Sequence, residues 1–226
     1  MAATEHRVVI AGTGTEIGKT HAAVALVSAF ARRGLDAVGL KPVESGVHLA
    51  QPDSARLALV SSRRPSPSPY AFPDPVSPHL AARRAGISIE LDVITRWVAE
   101  HTAEVLVIET AGGLFSPLSD SLTNLDLVRQ LAPRSILLVA PDRLGVLHDL
   151  RACLTAIRSL APELPAPGVI LQPPPIPDAS TGANAPEIER LKIARVLAVF
   201  PRAEPDAEPC QAEADRLAQL VATGEG

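Results

Sequence analysis

Gly12-Thr13-Gly14-Thr15-Glu16-Ile17-Gly18-Lys19-Thr20 is the stretch of the chain best suited to chemistry. Glycines let a backbone turn tightly with its N–H groups pointing inward, where they can bond phosphate oxygens. A helix beginning here would add the positive end of its dipole to the same anion. In such a loop the lysine, Lys19, reaches the terminal phosphates, and the hydroxyl of Thr20 ligates magnesium. Five residues separate Gly12 from Gly18, against the usual roughly four. The bland alternative is a strand-to-helix turn with a chance Gly-Lys-Thr. The flanks disfavour it, because an apolar run over 7–11 precedes the loop and an alanine-rich helical pattern over 20–33 follows it.

Three further charged groups fall at, or just past, strand ends on what should be one edge of a sheet. Residues 36–41 read as a short buried strand closed by Pro42, since the residue before proline is driven to extended geometry. Lys41 then stands at a strand's carboxyl end, where open α/β sheets bind ligands; snorkelling to the surface is its alternative. Glu109 ends the apolar run 105–108, and a carboxylate there must be paired or metal-bound. Asp53 opens a helical pattern with Leu57 and Val60 on one face, and spacing alone favours reading it as an N-cap. With Thr20 and Glu109 it would also complete an oxygen set suited to magnesium, while the two lysines neutralise charge that shifts in phosphoryl transfer. His21, His48, His79, His101 and His148 show no ligand pairing and read as structural or exposed; Tyr70 and Phe72 read as core filler.

Around these groups stand the elements that must position them. Ser77-Pro78 reads as a helix start with Ser77 as the cap. Helices are expected over about 89–101, with Leu91, Ile94, Trp97 and Val98 mostly inward, and over 124–131, 146–160 and about 211–221. Strands are expected over 105–109, 136–140, 168–171 and 196–200, and loops over 42–46 and 110–122. Proline-rich stretches fall at about 63–76 and 173–186, and 176–186 is expected to be the least structured. Apolar strands alternating with helices predict an α/β fold, a mostly parallel sheet covered by helices on both faces, in one domain of 226 residues.

Composition narrows the function classes. Aromatics are 3% of the chain, which disfavours base stacking, and a net charge of −4 disfavours a nucleic-acid surface. Cys153 and Cys210 lie far apart and fit no metal spacing, so reduced thiols in a cytoplasmic protein are expected. No apolar run approaches the ~20 residues of a bilayer span, and no leader is expected before the first strand.

Taken together, these segments resemble the dethiobiotin synthetase family of biotin biosynthesis, over about 8–200. The family's loop reads Gly-Thr-Asp-Thr-Glu-Val-Gly-Lys-Thr, and Gly12 to Thr20 match it except at Gly14 and Ile17. Lys41-Pro42-Val43-Glu44-Ser45-Gly46 is similar to the family's Lys-Pro-Val-Ala-Ser-Gly. Ser77-Pro78-His79 and Ser116-Pro117-Leu118-Ser119-Asp120 also have close counterparts. The resemblance implies a phosphate-loop NTPase-like fold that binds ATP through Gly14, Thr15, Glu16, Ile17, Gly18, Lys19, Thr20, His21, Asp53, Glu109, Gly112, Gln172 and Pro201. It implies catalytic roles for Lys19 and Lys41, substrate contacts from Thr15, Lys41 and Ser45, and a Mg2+ site on Thr20, Asp53 and Glu109. By the same resemblance, CO2 and 7,8-diaminononanoate form a carbamate, ATP phosphorylates it, and the second amine closes a ureido ring. A homodimer with the diamine site near its interface is implied, with neither nucleic acid nor membrane as partner.

Three departures from the family bear on detail. Thr110 stands where the family carries glycine, and a β-branched residue takes positive φ poorly, so the loop after Glu109 is expected to differ. His148-Asp149 follows Leu144-Gly145-Val146-Leu147 where the family tends to carry Asn-His. Gln172 replaces an adenine-reading asparagine; its longer side chain is harder to hold, so only ~10-fold selection of ATP over other triphosphates is expected. The rival from another class is a positioning-type ATPase switch. Those proteins carry an additional lysine where this chain has Gly14, and often a basic terminal helix, whereas the stretch from Gln211 is acidic. A related synthase acting on another carboxylate would usually bring a glutaminase domain, for which 226 residues leave no space. A divergent, non-catalytic nucleotide binder is the third alternative.

Overall fold

The computed structural model describes residues 5–48 and 51–224. In chain order the elements are β1 (His6–Gly12), α1 (Lys19–Arg32), β2 (Ala37–Leu40), β3 (Val43–Ser45), α2 (Asp53–Val60), β4 (Tyr70–Phe72), α3 (Pro78–Ala85) and α4 (Leu91–Ala99). There follow β5 (Val105–Glu109), α5 (Asn124–Leu131), β6 (Ser135–Pro141), α6 (Val146–Leu160), β7 (Gly168–Gln172), α7 (Asn184–Arg190), β8 (Val196–Val199) and α8 (Glu208–Thr223). Six strands form one sheet in the order β2-β5-β1-β6-β7-β8, with every pairing parallel.

Strand period and burial explain the layering. Val8 and Ile10 face one side of β1, while Val9 and Ala11 face the other. The first side packs on α1 and α8 through Leu26, Phe30 and Leu217, with Leu57 of α2 in the same cluster. The second packs on α4, α5, α6 and α7 through residues such as Ile94, Leu127, Leu154 and Ile188. Burying Phe30 or Leu26 completely, as both are, is worth about 1.5–3 kcal/mol each. Both strand faces are thus apolar, as a parallel sheet requires.

From central β1 the chain turns toward β2 at one edge, and from neighbouring β6 it turns toward β7 and β8 at the other. A crevice opens at such a reversal, beyond the carboxyl ends of the strands. Ile10 pairs with Glu109 and Gly12 with Val139, so the glycine loop and the Glu109 carboxylate leave the sheet side by side.

The departures from the sequence reading share a cause, which is proline. Residues 42–46 are not purely loop: β3 pairs in parallel with β4, cut from the proline-rich stretch, to form a small second sheet. Tyr70, Ala71 and Phe72 are the longest run there with intact N–H groups, so a strand fits between the prolines. Tyr70 and Phe72 are buried in the core, as expected of filler. The stretch over 176–186 ends in the start of α7, whose Pro186 sits in the first turn, where a missing N–H costs nothing. Helix α8 begins at Glu208, ahead of the expected Gln211, with Pro209 in its first turn. Ser77 is the N-cap residue of α3 with Pro78 in the first turn, as expected, but its hydroxyl bonds His79 Nδ1 at 3.0 Å and not the helix backbone. Cys153 and Cys210 are both free and buried. No helix among the described residues is long and apolar enough to cross a membrane.

Candidate active site

The glycine loop folds back on itself because it lacks side chains at two places. A Cβ on Gly12 would lie 2.8 Å from Ile17 Cδ1 and 3.0 Å from Lys19 Cδ. Gly18 takes φ 88°, a left-handed turn, and precedes α1 without any side chain capping the first turn. The leading N–H groups of α1 therefore stay available to an anion. Lys19 Nζ donates to the Gly14 carbonyl at 2.9 Å, drawing the loop closed.

Beside the loop lies a cluster of buried charges. Lys41 Nζ donates to Glu109 Oε1 at 2.6 Å and lies 3.1 Å from Asp53 Oδ2. It also donates to the Thr110 carbonyl at 3.3 Å, and the Thr20 hydroxyl donates to Glu109 Oε1 at 2.9 Å. Lys41 is 4% exposed and Glu109 1%, which rules out a snorkelling lysine. Asp53 is the first residue of α2 rather than its cap, which is Pro52; the N-cap reading is therefore corrected. Burial opposes the Lys41 charge most strongly, but Glu109 and Asp53 outweigh it and raise its pKa above the ordinary lysine value. Burial pushes the Asp53 pKa up, yet Lys41, with smaller help from Thr20 and Arg56, brings it below the usual carboxylate value.

Lys19 is the exception. Burial and the neighbouring Lys41 charge lower its pKa to about 8, because the carboxylates lie closer to Lys41 and compensate Lys19 only in part. It is a cation short of anions, a condition that a bound polyphosphate would relieve. Glu109 Oε2 shows the complementary want: it is buried without any hydrogen-bond partner. That orphaned oxygen, with Thr20 Oγ1 and Asp53, gives an oxygen-only donor set that fits magnesium. No three His, Cys, Asp or Glu among the described residues converge as a metal site. A magnesium ion here would therefore depend on phosphate oxygens and water for its remaining ligands, which is how it usually binds.

The loop after β5 is clamped against the glycine loop. A Cβ on Gly113 would sit 3.4 Å from Gly14 Cα, and Leu114 N donates to the Gly12 carbonyl at 2.8 Å. Positive φ falls on Gly112, at 72°, and not on Thr110, so threonine is accommodated without strain. Asn124, fully buried, donates to the carbonyls of Ala111 at 2.6 Å and Gly113 at 2.8 Å. Sequence reasoning missed this residue, for which the only signal was a polar residue opening an amphipathic helix. It also missed Glu44, whose carboxylate accepts from the Ser54 hydroxyl and, at 3.3 Å, from the Ser54 N–H, holding the start of α2 where Pro52 cannot.

Two cavities flank the glycine loop. One, of about 500 Å³, is lined by Thr15, Lys19, Thr20, Lys41, Ser45, Asp53, Glu109 and Gly112, with Arg56 at its side. Ser45 faces it while its hydroxyl donates to the Val76 carbonyl at 2.7 Å. The other, of about 250 Å³, is lined by Gln172, the prolines 173–175, Pro201 and Arg202, and shares Glu16, Ile17, Gly18 and His21 with the first. The sequence-derived residues thus divide between one charged and one largely neutral chamber. Gln172 is 4% exposed and bonded to His21, so the expectation of a loosely held side chain is not met. His21 is correspondingly no idle surface histidine. A cleft of about 590 Å³ between α6, β7 and β8, lined by Leu154, Ile157 and Leu197 among others, holds no carboxylate, lysine or histidine for such chemistry.

A family model described as an AAA domain matches residues 6–209. An ATP-dependent dethiobiotin synthetase of Nitrosospira multiformis is 39% identical over 165 residues, covering 70% of this chain and 72% of its own. The enzyme of that name from Anaeromyxobacter dehalogenans is 36% identical over 206 residues, covering 87% and 90%. Among solved structures, the MinC:MinD cell division complex of Aquifex aeolicus aligns with a TM-score of 0.62 at 12% identity, covering 96% of each chain. A ParA family ATPase from Chlorobium tepidum aligns at 0.56 with 10% identity, covering 100% of this chain and 99% of its own. Those two likenesses establish the mostly parallel, helix-flanked fold and nothing more. The sequence matches go further, and with them the chain belongs to the ATP-dependent dethiobiotin synthetase family.

Proposed function

We propose that this enzyme uses ATP to carboxylate 7,8-diaminononanoate with CO2 and to close the ureido ring of dethiobiotin. The observation that carries the reading is the buried Lys41, bridged to Glu109 and Asp53 at the mouth of a phosphate loop. A carbamate attacking a phosphate brings two anions together, which preorganised cations offset best in a water-poor site. Ligand anions arriving near Lys41 would compete with the carboxylates that now hold it.

In this reading one amine of the diamine adds to CO2 and loses a proton to give a carbamate, which Lys41 orients and Ser45 and Thr15 help to seat. The carbamate oxygen attacks the γ-phosphorus of ATP, whose bond to the β,γ-bridging oxygen breaks to release ADP, and Lys19 offsets the charge spreading over the transferring oxygens. The second amine then attacks the carbamate carbon, expelling phosphate and losing its proton as the ring closes. Thr20, Asp53 and Glu109 would hold Mg2+, which when bound supplies Lewis-acid neutralisation of the phosphate oxygens. No covalent enzyme intermediate is needed, which agrees with the absence of cysteine or histidine among the residues of the charged cluster. ATP is placed with its phosphates on Gly14 to Thr20 and its base in the chamber of Gln172 and Pro201. The family resemblance further supports a homodimer with the diamine site near its interface.

Growth rescue tests the reading. Expression in a strain that requires dethiobiotin should restore growth, and the Lys19→Gln variant should not. Failure of a well-expressed parent to rescue would reject the substrate assignment.

A further inference from the structure

His21 and Gln172 form a unit, and the proposed reaction gives the contact between them no role. His21 Nε2 lies 2.8 Å from the Ala203 carbonyl, which can only accept, so Nε2 carries the ring proton. In that tautomer Nδ1 is a bare acceptor, and Gln172 Nε2 lies 3.2 Å from it. Only the amide's NH2 end can satisfy that acceptor. A flipped amide would lose the hydrogen bond and set its carbonyl against the Nδ1 lone pair. The ring itself is held edge-on to Phe200, with centroids 5.4 Å apart and planes at 85°. The Gln172 side chain is confined as well: a Cβ on Gly18 would lie 2.8 Å from its Cγ.

We infer that His21 is a positioning residue that fixes the amide of Gln172 in one orientation, and thereby selects amino-bearing over keto-bearing nucleobases. With one N–H committed to Nδ1, the amide retains its carbonyl oxygen and its second N–H for a ligand in the cavity both residues line. Adenine answers that pair on its Watson–Crick edge with its N6 amino donor and N1 acceptor, and cytosine with its N4 amino donor and N3 acceptor. On its Watson–Crick edge guanine sets the reverse pair, an O6 acceptor and an N1–H donor, against the same amide. A free amide would simply flip to suit guanine; an amide pinned from behind cannot. Selection is thus sharper than a long, mobile glutamine would provide, and it comes from a residue that need not touch the base.

The inference rests on the nucleotide reading of the site, so the test measures binding alone, without diamine. Equilibrium dissociation constants for ATP and GTP are compared in the parent, His21→Leu, Gln172→Met and the double variant. The parent should prefer ATP by roughly 10- to 100-fold. His21→Leu, which keeps apolar bulk against Phe200, should bring the ratio to within about threefold of unity, chiefly by tightening GTP. In the Gln172→Met background the same change at His21 should leave the ratio unmoved, because His21 acts only through the amide. His21→Asn, whose side-chain oxygen can stand where Nδ1 stands, should keep most of the preference. It serves as the decisive variant should His21→Leu fail to fold. A preference unchanged in His21→Leu, or lost equally in His21→Asn, would overturn the positioning role while leaving the nucleotide site intact. No binding of either nucleotide to the parent would overturn the site and the inference together.

Discussion

The two chambers beside the glycine loop use opposite physics. On the phosphate side, two lysines and the Glu109 carboxylate are packed out of water beside a half-buried Asp53, and one of the lysines is held at a pKa of about 8. On the base side, a buried amide is hydrogen-bonded to an imidazole and walled by prolines. Buried charge is strong and costly, whereas a buried neutral hydrogen bond is weaker and directional. Substitutions on the phosphate side should therefore alter rate and stability together, and those on the base side should alter choice between ligands.

The largest expected effect is at Lys19. Lys19→Gln should lower turnover by ~10²-fold or more, since it removes a charge aimed at the transferring phosphoryl group. Its thermal midpoint should be no lower than the parent's, because the cation removed is desolvated and only partly compensated. A near-normal turnover number would break the contrast at its strongest point.

Next comes Glu109. Glu109→Leu leaves Lys41, only 4% exposed, with Asp53 alone, and should cost about 3 kcal/mol, or roughly 6–12 °C in Tm. Calorimetry that finds the variant as stable as the parent would mean that the pair contributes nothing to the fold.

The pH dependence sharpens the comparison further. Lys19 loses its proton as pH rises through about 8 in the free enzyme. Its charge is needed to meet ATP, so kcat/KM for ATP should be level below that pH and fall about tenfold per unit well above it. Stability moves the other way. The unfolded chain keeps this proton to about pH 10.4, so between the two values the unfolded state binds more protons, and the Lys19 contribution to stability becomes more favourable as pH rises. A kcat/KM profile that stays flat to pH 9.5 would assign the charge elsewhere.

The smallest effect belongs to the base side. Gln172→Met should change kcat at saturating ATP by less than about threefold, because the interaction it removes is made equally in ground and transition states. A hundredfold loss of kcat there would erase the distinction between the chambers.

What the sequence made legible follows the same physics. Runs such as Val105–Glu109 and the glycine loop carry their structure locally, through apolar burial and backbone freedom, and both stand where expected. Lys41 and Glu109 were readable because a charge at the end of a buried strand must find a partner. Asp53 was read as a helix cap because its partner, Lys41, lies twelve residues earlier and across a strand end. Asn124 and Glu44 were invisible for a related reason: each matters through backbone groups that only the folded loops bring near. Strand β4 and helix α7 were hidden by prolines, which read as breakers until their positions at strand flanks and in a first turn are known. Gln172 was read as mobile because its length shows in the sequence and His21, the group that pins it, does not.

The central claim is that ATP is consumed to close a ring on a diamine. The most direct test counts phosphate released against dethiobiotin formed by the purified protein with ATP, bicarbonate and 7,8-diaminononanoate. One phosphate should appear for each ring, and omission of either bicarbonate or the diamine should stop both. ATP hydrolysis that ignores the diamine and rises with DNA or lipid vesicles would contradict the account, and would ally the chain in function with the positioning ATPases whose fold it shares.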